Sequence, residues 1–387
     1  MQKRIKRRVT AREQTFFAVC QPGVKNLCLK ELSDLGINPG GIRVKKGGIE
    51  FSGKVSDCYR ANLHLRSPSR ILMRICRFRA ETFAEFEKKA GKVDWDLYVS
   101  SNATVEYTVS CAKSRLYHTG AVEERLSRVV SAKAGRERRT AGDQAGAQSA
   151  GIHVRAEKDR FEISIDSSGD LLFKRGIKED VGKAPIRENL AGAVLSWAGF
   201  GCDDLLADPM CGSGTFSMEA AMIKKRIPPG YFRRFAFEDW PCFSSAQFAH
   251  MKKKAREEIV SASEKSIFAF DIDETVLAPF GDNISRFGFE DVIHVKKKDF
   301  FTLTCVDFNC KKGVIVINPP YGKRIRAKNE TGSFFMEIGN KLKKDFSGWR
   351  AGVVVPDKSA AASLALNGRL TRFFHGGLDV FAVTGKV

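Results

Sequence analysis

No two of the ten cysteines in this 387-residue chain stand in C-x-x-C spacing, and the six histidines form no cluster beside them. That pattern argues against a zinc site and against a disulfide framework. No metal is expected, and free thiols suit a reducing compartment, so the expected location is the cytoplasm. Uninterrupted apolar runs are short, none near the roughly 18 residues of a membrane span, so no membrane association is expected. The opening "MQKRIKRRVTAR" has no apolar core of the kind a secretory signal needs, and reads instead as a flexible basic arm. Acidic residues are scarce: 45 against 65 Lys and Arg, a formal net charge of +20. The excess is spread along the chain, and a field of that sign attracts polyanions, of which nucleic acid is the commonest.

What is present is ordinary globular material, 43% hydrophobic, in a chain long enough for two or three domains. The N-terminal part reads as an α+β unit over residues 1–66. Its signals are a strand at "FFAV", an amphipathic helix closed by Gly36, and two short strands around a Gly-Gly turn in "GIRVKKGGIEFSG". Residues 67–170 continue with strands at "ILMRICRFR" and "TVEYTVS" and a helix over "AVEERLSRVVSAKA". The stretch "GRERRTAGDQAGAQSAG" reads as a surface loop, and "FEISIDSSGDLLFKRG" as a hairpin turning at Ser167-Ser168-Gly169.

Over 171–387 the rhythm becomes strand, helix, strand. Short apolar runs at "LLAD", "IFAFD", "VIHV", "VIVI" and "GVVVP" predict a parallel α/β sheet, and "RFFHGGLDVFAVTG" an antiparallel hairpin at its edge. Ligands in such sheets bind beyond the carboxyl ends of the strands. Three features sit there. "DPMCGSGTF" follows the first strand, and Gly212 and Gly214 allow a tight turn against a helix N-terminus. A P-loop is excluded because no Gly-Lys-Ser/Thr follows, and a dinucleotide turn would want glycine where Ser217 stands. An S-adenosylmethionine site needs only the short glycine turn. Asp271 ends the second strand, where a carboxylate can accept both ribose hydroxyls, and Asp299 after the third can accept from an adenine amine.

The third feature is "INPPYG", after the fourth strand. An exocyclic amine on a nucleobase is a poor nucleophile because its lone pair is conjugated into the ring. Acceptors at fixed positions can take both N–H bonds and free that pair. The Asn318 side-chain oxygen and the Pro319 carbonyl can serve, held by rigid rings, while Tyr321 offers a face on which an extruded base stacks. Methyl transfer to such an amine is the chemistry these residues suit, on guanine N2 or adenine N6 alike. A binding protein with a vestigial pocket has no physical need for them.

Nearly end to end, the chain resembles the bacterial THUMP-domain guanine-N2 RNA methyltransferases, in "QPGVKNLCLKELSDLG", "KSRLYHTGAVEERL", "DPMCGSGTFSMEAA", "INPPYGKRI" and "IPPGYFRRFAFEDWPCF". The last of these separates the first two strands of the sheet. The resemblance implies a ferredoxin-like unit, a THUMP RNA-binding domain and a class I, Rossmann-like seven-stranded methyltransferase domain, in that order. It implies S-adenosylmethionine as cofactor, held by Asp208, Gly212, Gly214, Asp271 and Asp299. Asn318, Pro319 and Tyr321 would hold the base, and Lys113, Arg115 and Tyr117 would touch RNA. The implied substrate is 23S ribosomal RNA, with transfer RNA the near alternative. Two positions depart from the family pattern: Lys323 stands where an acid is expected, and Asn189 where Thr is usual.

Overall fold

A computed structural model describes residues 1–135, 149–177, 185–262, 264–308, 310, 312–320 and 328–387. The chain divides into two compact units. The first comprises Met1–Cys20, Cys28–Leu172 and Arg233–Lys253, and the second Gln21–Leu27, Phe173–Phe232 and Lys254–Val387.

The first unit holds one seven-stranded sheet: β1 Gln14–Val19, β2 Arg43–Lys45, β3 Gly48–Gly53, β4 Arg70–Arg79, β5 Thr104–Ala112, β6 Ser149–Glu157 and β7 Arg160–Asp166. Their order is β2-β3-β1-β4-β7-β6-β5. β4 joins the two halves, pairing antiparallel with β1 on one side and with β7 on the other. Phe16, Phe51, Phe86 and Phe161 are fully buried within it.

Three expectations about this unit are corrected. The basic N-terminus is not a flexible arm: Gln2–Ile5 and Lys6–Thr10 are helical. Ile5 and Val9, four residues apart on one face, are buried, while Arg4 and Arg8 pair with Asp96 and Asp94. The hairpin does not turn at Ser167-Ser168-Gly169. It joins β6 to β7 at Lys158 and Asp159, whose positive φ values of 52° and 61° suit a two-residue turn. Ser167 and Ser168 are instead buried, donating to the Ile71 carbonyl and the Asn62 side chain, each at 2.7 Å. Of the expected loop, residues 136–148 lie outside the described residues, and its last three, Ser149 to Gly151, already belong to β6.

In the second unit the strands are β8 Leu206–Asp208, β9 Ile267–Asp271, β10 Ile293–Lys297, β11 Val314–Ile317, β12 Arg350–Val355, β13 Gly368–His375 and β14 Leu378–Lys386. They are ordered β10-β9-β8-β11-β12-β14-β13, with β8 to β12 parallel and β14 antiparallel between β12 and β13. The order reverses between β8 and β11, which is where an open α/β sheet offers a crevice. The four β11 side chains are fully buried, with Phe335, Ile338 and Trp349 in the core on one face. The other face takes the helix Glu188–Trp197 at close range, since a Cβ on Gly352 would lie 3.1 Å from Val194. Asn189 is buried on that helix. Among the described residues no helix is long and apolar enough to cross a membrane.

Part of the long segment between β8 and β9 belongs to the first unit. Phe237 stacks on Tyr59 with ring centroids 4.5 Å apart and meets Phe248 edge-on at 5.0 Å. Arg233 donates to the carbonyls of Ser168, Asp170 and Leu171.

Candidate active site

The β8 strand ends in Asp208, and the chain then turns sharply into the helix Thr215–Lys224. Hydrogen bonds tie this turn to its neighbours. The Cys211 amide donates to the Phe270 carbonyl of β9 at 2.9 Å, and the Gly214 amide to the Cys211 carbonyl at 2.8 Å. Both glycines have positive φ, 52° at Gly212 and 72° at Gly214, a region that side chains enter at a cost. Their surroundings differ. A Cβ at Gly214 would overlap the Phe280 ring, whereas a Cβ at Gly212 would meet nothing within 4 Å. Gly214 is therefore needed for packing, and Gly212 leaves a backbone face open to a ligand.

Asp208 is fully buried, and its carboxylate accepts from the Ser217 hydroxyl at 2.8 Å. It braces the turn from beneath. Asp271 is half-buried, with one carboxylate oxygen accepting from the Gly212 amide at 2.8 Å and the other from the Asp273 amide at 3.0 Å. Asp273 in turn caps the helix Glu274–Phe287, and its bonds from the Thr275 hydroxyl and amide hold its carboxyl below the ordinary range. Asp299 lies just past β10, exposed, and accepts from the Phe301 amide at 3.0 Å. Since Asp271 is registered with Lys297, two residues before Asp299, the two acids occupy adjacent strand ends. The Lys298 amide bonds the Asp271 carbonyl at 3.1 Å, and its ammonium pairs with Asp307. Burial pushes the Asp307 carboxyl up, but Lys298 and the Thr304 amide outweigh it and hold that group low.

Sequence reasoning missed two apolar groups beside these acids. Ile272 is 68% exposed and Phe301 36%. Each directly follows, or nearly follows, a strand-ending carboxylate, which is the signal that could have found them. Apolar surface exposed next to these carboxylates suits the faces of a purine.

Asn318 and Pro319 follow the buried β11, adjacent to β8 in the sheet. The Asn318 carboxamide oxygen is buried and has no hydrogen-bond partner among the described residues. A buried acceptor left without a donor costs about 1–3 kcal/mol, so a fold that keeps one invites a donor from outside. Tyr321 and Lys323 lie outside the described residues. The remaining named residues are elsewhere. Lys113, Arg115 and Tyr117 occupy the loop after β5 in the first unit, where Arg115 pairs with Glu81 at 2.7 Å and Tyr117 is exposed against His118. No group of three His, Cys, Asp or Glu suited to a metal occurs among the described residues.

Comparison with known proteins places these observations. The RMKL-like methyltransferase domain model, UPF0020, matches residues 175–374, and the RlmL ferredoxin-like domain model matches residues 15–72. The ribosomal RNA large subunit methyltransferase K/L of Methylococcus capsulatus is 32% identical over 94% of this chain and 50% of its own length. The chain thus spans about half of that relative. The provisionally named RNA methyltransferase YpsC of Bacillus subtilis is 32% identical over 85% of this chain and 84% of its own. Among solved structures, SMU.472, provisionally named a methyltransferase and complexed with SAH, superposes with a TM-score of 0.85. It is 26% identical, covering 97% of this chain and 98% of that one.

Proposed function

The chain belongs to the RMKL-like methyltransferase family, and from that premise we propose that it forms N2-methylguanine in RNA, with 23S ribosomal RNA as substrate. Its cofactor is S-adenosylmethionine, which when bound supplies a methyl group on a sulfonium centre. The residues suit that molecule. Gly212 offers an open backbone face, Asp271 a carboxylate for the ribose hydroxyls, and Asp299 an acceptor for the adenine amine, with Ile272 and Phe301 beside its ring. Asp208 acts one step removed, by bracing the turn through Ser217.

The observation that carries the proposal is the buried oxygen of Asn318, which has no hydrogen-bond partner among the described residues. Placed at a strand end beside the glycine turn, it accepts one N–H of the guanine amine while the Pro319 carbonyl accepts the other. Both bonds draw the nitrogen toward tetrahedral geometry and strengthen as its lone pair is committed, so they favour the transition state over the ground state. Tyr321 supplies the stacking face for the extruded base.

The test is methyl transfer to separately purified 23S ribosomal and transfer RNA, followed by nucleoside analysis. N2-methylguanosine from 23S RNA is expected. Label found only in transfer RNA, or recovered as N6-methyladenosine, overturns the corresponding half of the proposal.

A further inference from the structure

A groove of about 920 Å³ runs across the sheet of the first unit, lined by residues of β1, β2, β3, β4, β6 and β7 and of the β2–β3 and β6–β7 turns. Eight of its side chains are Lys or Arg and three are Glu. Its cations fall into two sets. Lys45, Lys46, Arg79, Lys158 and Arg160 stand exposed. Arg74, Arg77 and Arg155 are held by carboxylates, Arg74 deep in the groove and Arg77 at its exposed edge, with Arg155 paired to Glu157 at 2.8 Å. Glu162 takes Arg77 at 3.0 Å and Arg74 at 3.4 Å, and Glu50, itself buried, pairs with Arg77. Arg74 also lies over the Phe17 ring, 4.3 Å from its centroid. These guanidiniums are fixed before any ligand arrives, which lowers the ordering cost of binding an anion.

The aromatic residues of the groove decide which anion. Phe17 and Phe161 are buried, and Phe78 spends its ring stacking on Phe161 at 5.7 Å. No aromatic face among the described groove residues is left for an unstacked base, whereas single-strand binders rely on such faces. A row of cations without stacking platforms reads phosphates, and duplex RNA is recognised largely through its backbone and shape. We propose that this groove grips the sugar–phosphate backbone of a base-paired RNA segment, with Glu50 and Glu162 as positioning residues. The site differs from the loop bearing Lys113, Arg115 and Tyr117, though Arg79 of the groove and Arg115 share Glu81. The inference rests on RNA being the substrate.

The test compares two triple charge reversals in the full chain: K46E/K158E/R160E in the groove, and K88E/K92E/K133E on exposed lysines outside it. Both change net charge equally. A 20-base-pair RNA hairpin and an oligouridylate are the probes, titrated across salt concentration. The groove variant should bind the hairpin at least tenfold more weakly, with a log–log salt slope shallower by about two. The control should lose far less, and S-adenosylmethionine affinity should hold in both. Equal losses in the two variants, or an unchanged slope, overturn the groove. An equal loss on oligouridylate overturns the base-paired assignment. A protein that binds the hairpin through the groove yet methylates no RNA refutes the enzymatic reading alone.

Discussion

The Gly212 amide donates to the Asp271 carboxylate at 2.8 Å, across 59 residues of sequence. One hydrogen bond thus locks the glycine turn after β8 to the acid at the end of β9, the two parts proposed to hold opposite ends of the cofactor's nucleoside and amino acid moieties.

Asp271→Ala should therefore do two things. It removes a charge-assisted acceptor, worth roughly 1.5–3 kcal/mol, and it releases the turn. Asp271→Asn keeps an oxygen for Gly212 but loses the charge and the bond from the Asp273 amide, so its affinity should fall between wild type and alanine. Calorimetry with S-adenosylmethionine checks the order, and equal affinity in all three proteins would remove Asp271 from the site.

The two glycines should separate stability from binding. Gly214→Ala pays the left-handed cost of roughly 1–2 kcal/mol and also meets Phe280, so denaturation should show a loss of at least about 2 kcal/mol. Gly212→Ala meets nothing within the protein. It should fold with a smaller loss while cofactor affinity drops at least tenfold. The opposite pattern would place the ligand elsewhere.

His153 gives the first unit a pH signature. Burial, with Arg70 and Arg74 nearby, pushes its pKa down from 6.5 to about 4. Between those values the unfolded chain takes up a proton that the native chain refuses, so stability falls as pH drops from about 6.5 toward 4. Thermal melts of wild type and His153→Gln from pH 7.5 to 4.5 should converge or cross as pH falls. A constant difference would mean His153 does not titrate in that window.

Much of the second unit was legible because its central strands are short apolar runs, β8 and β11 buried throughout and β12 nearly so. "IFAFD" and "VIVI" coincide with β9 and β11 residue for residue. The first unit was harder. β6 escaped notice because only two of its four buried positions, Ile152 and Val154, are branched, while Ala150 and Ala156 carry little apolar signal. The serines after β7 resemble a turn by composition, yet they serve a buried hydrogen-bond network with Asn62, a tertiary relationship that local sequence cannot display. The groove was invisible for a similar reason: its cations come from positions as far apart as Lys45 and Arg160, and only strand pairing gathers them. At the active site, the residue types and their strand ends could be read in advance. The link between Gly212 and Asp271, the burial of Asp208 and the exposure of Ile272 could not.

The central claim is that the Asn318 oxygen holds the reacting amine, and single-turnover methyl transfer at saturating RNA and cofactor tests it most directly. Asn318→Ala should fold at least as stably as wild type and keep its S-adenosylmethionine affinity, because the oxygen it removes has no partner among the described residues. The chemical step should slow by about 10²–10³, as when a preorganised polar partner of the transition state is lost. A variant that methylates RNA at a rate near wild type would make Asn318 a strand-end residue only, and the proposed chemistry would be wrong.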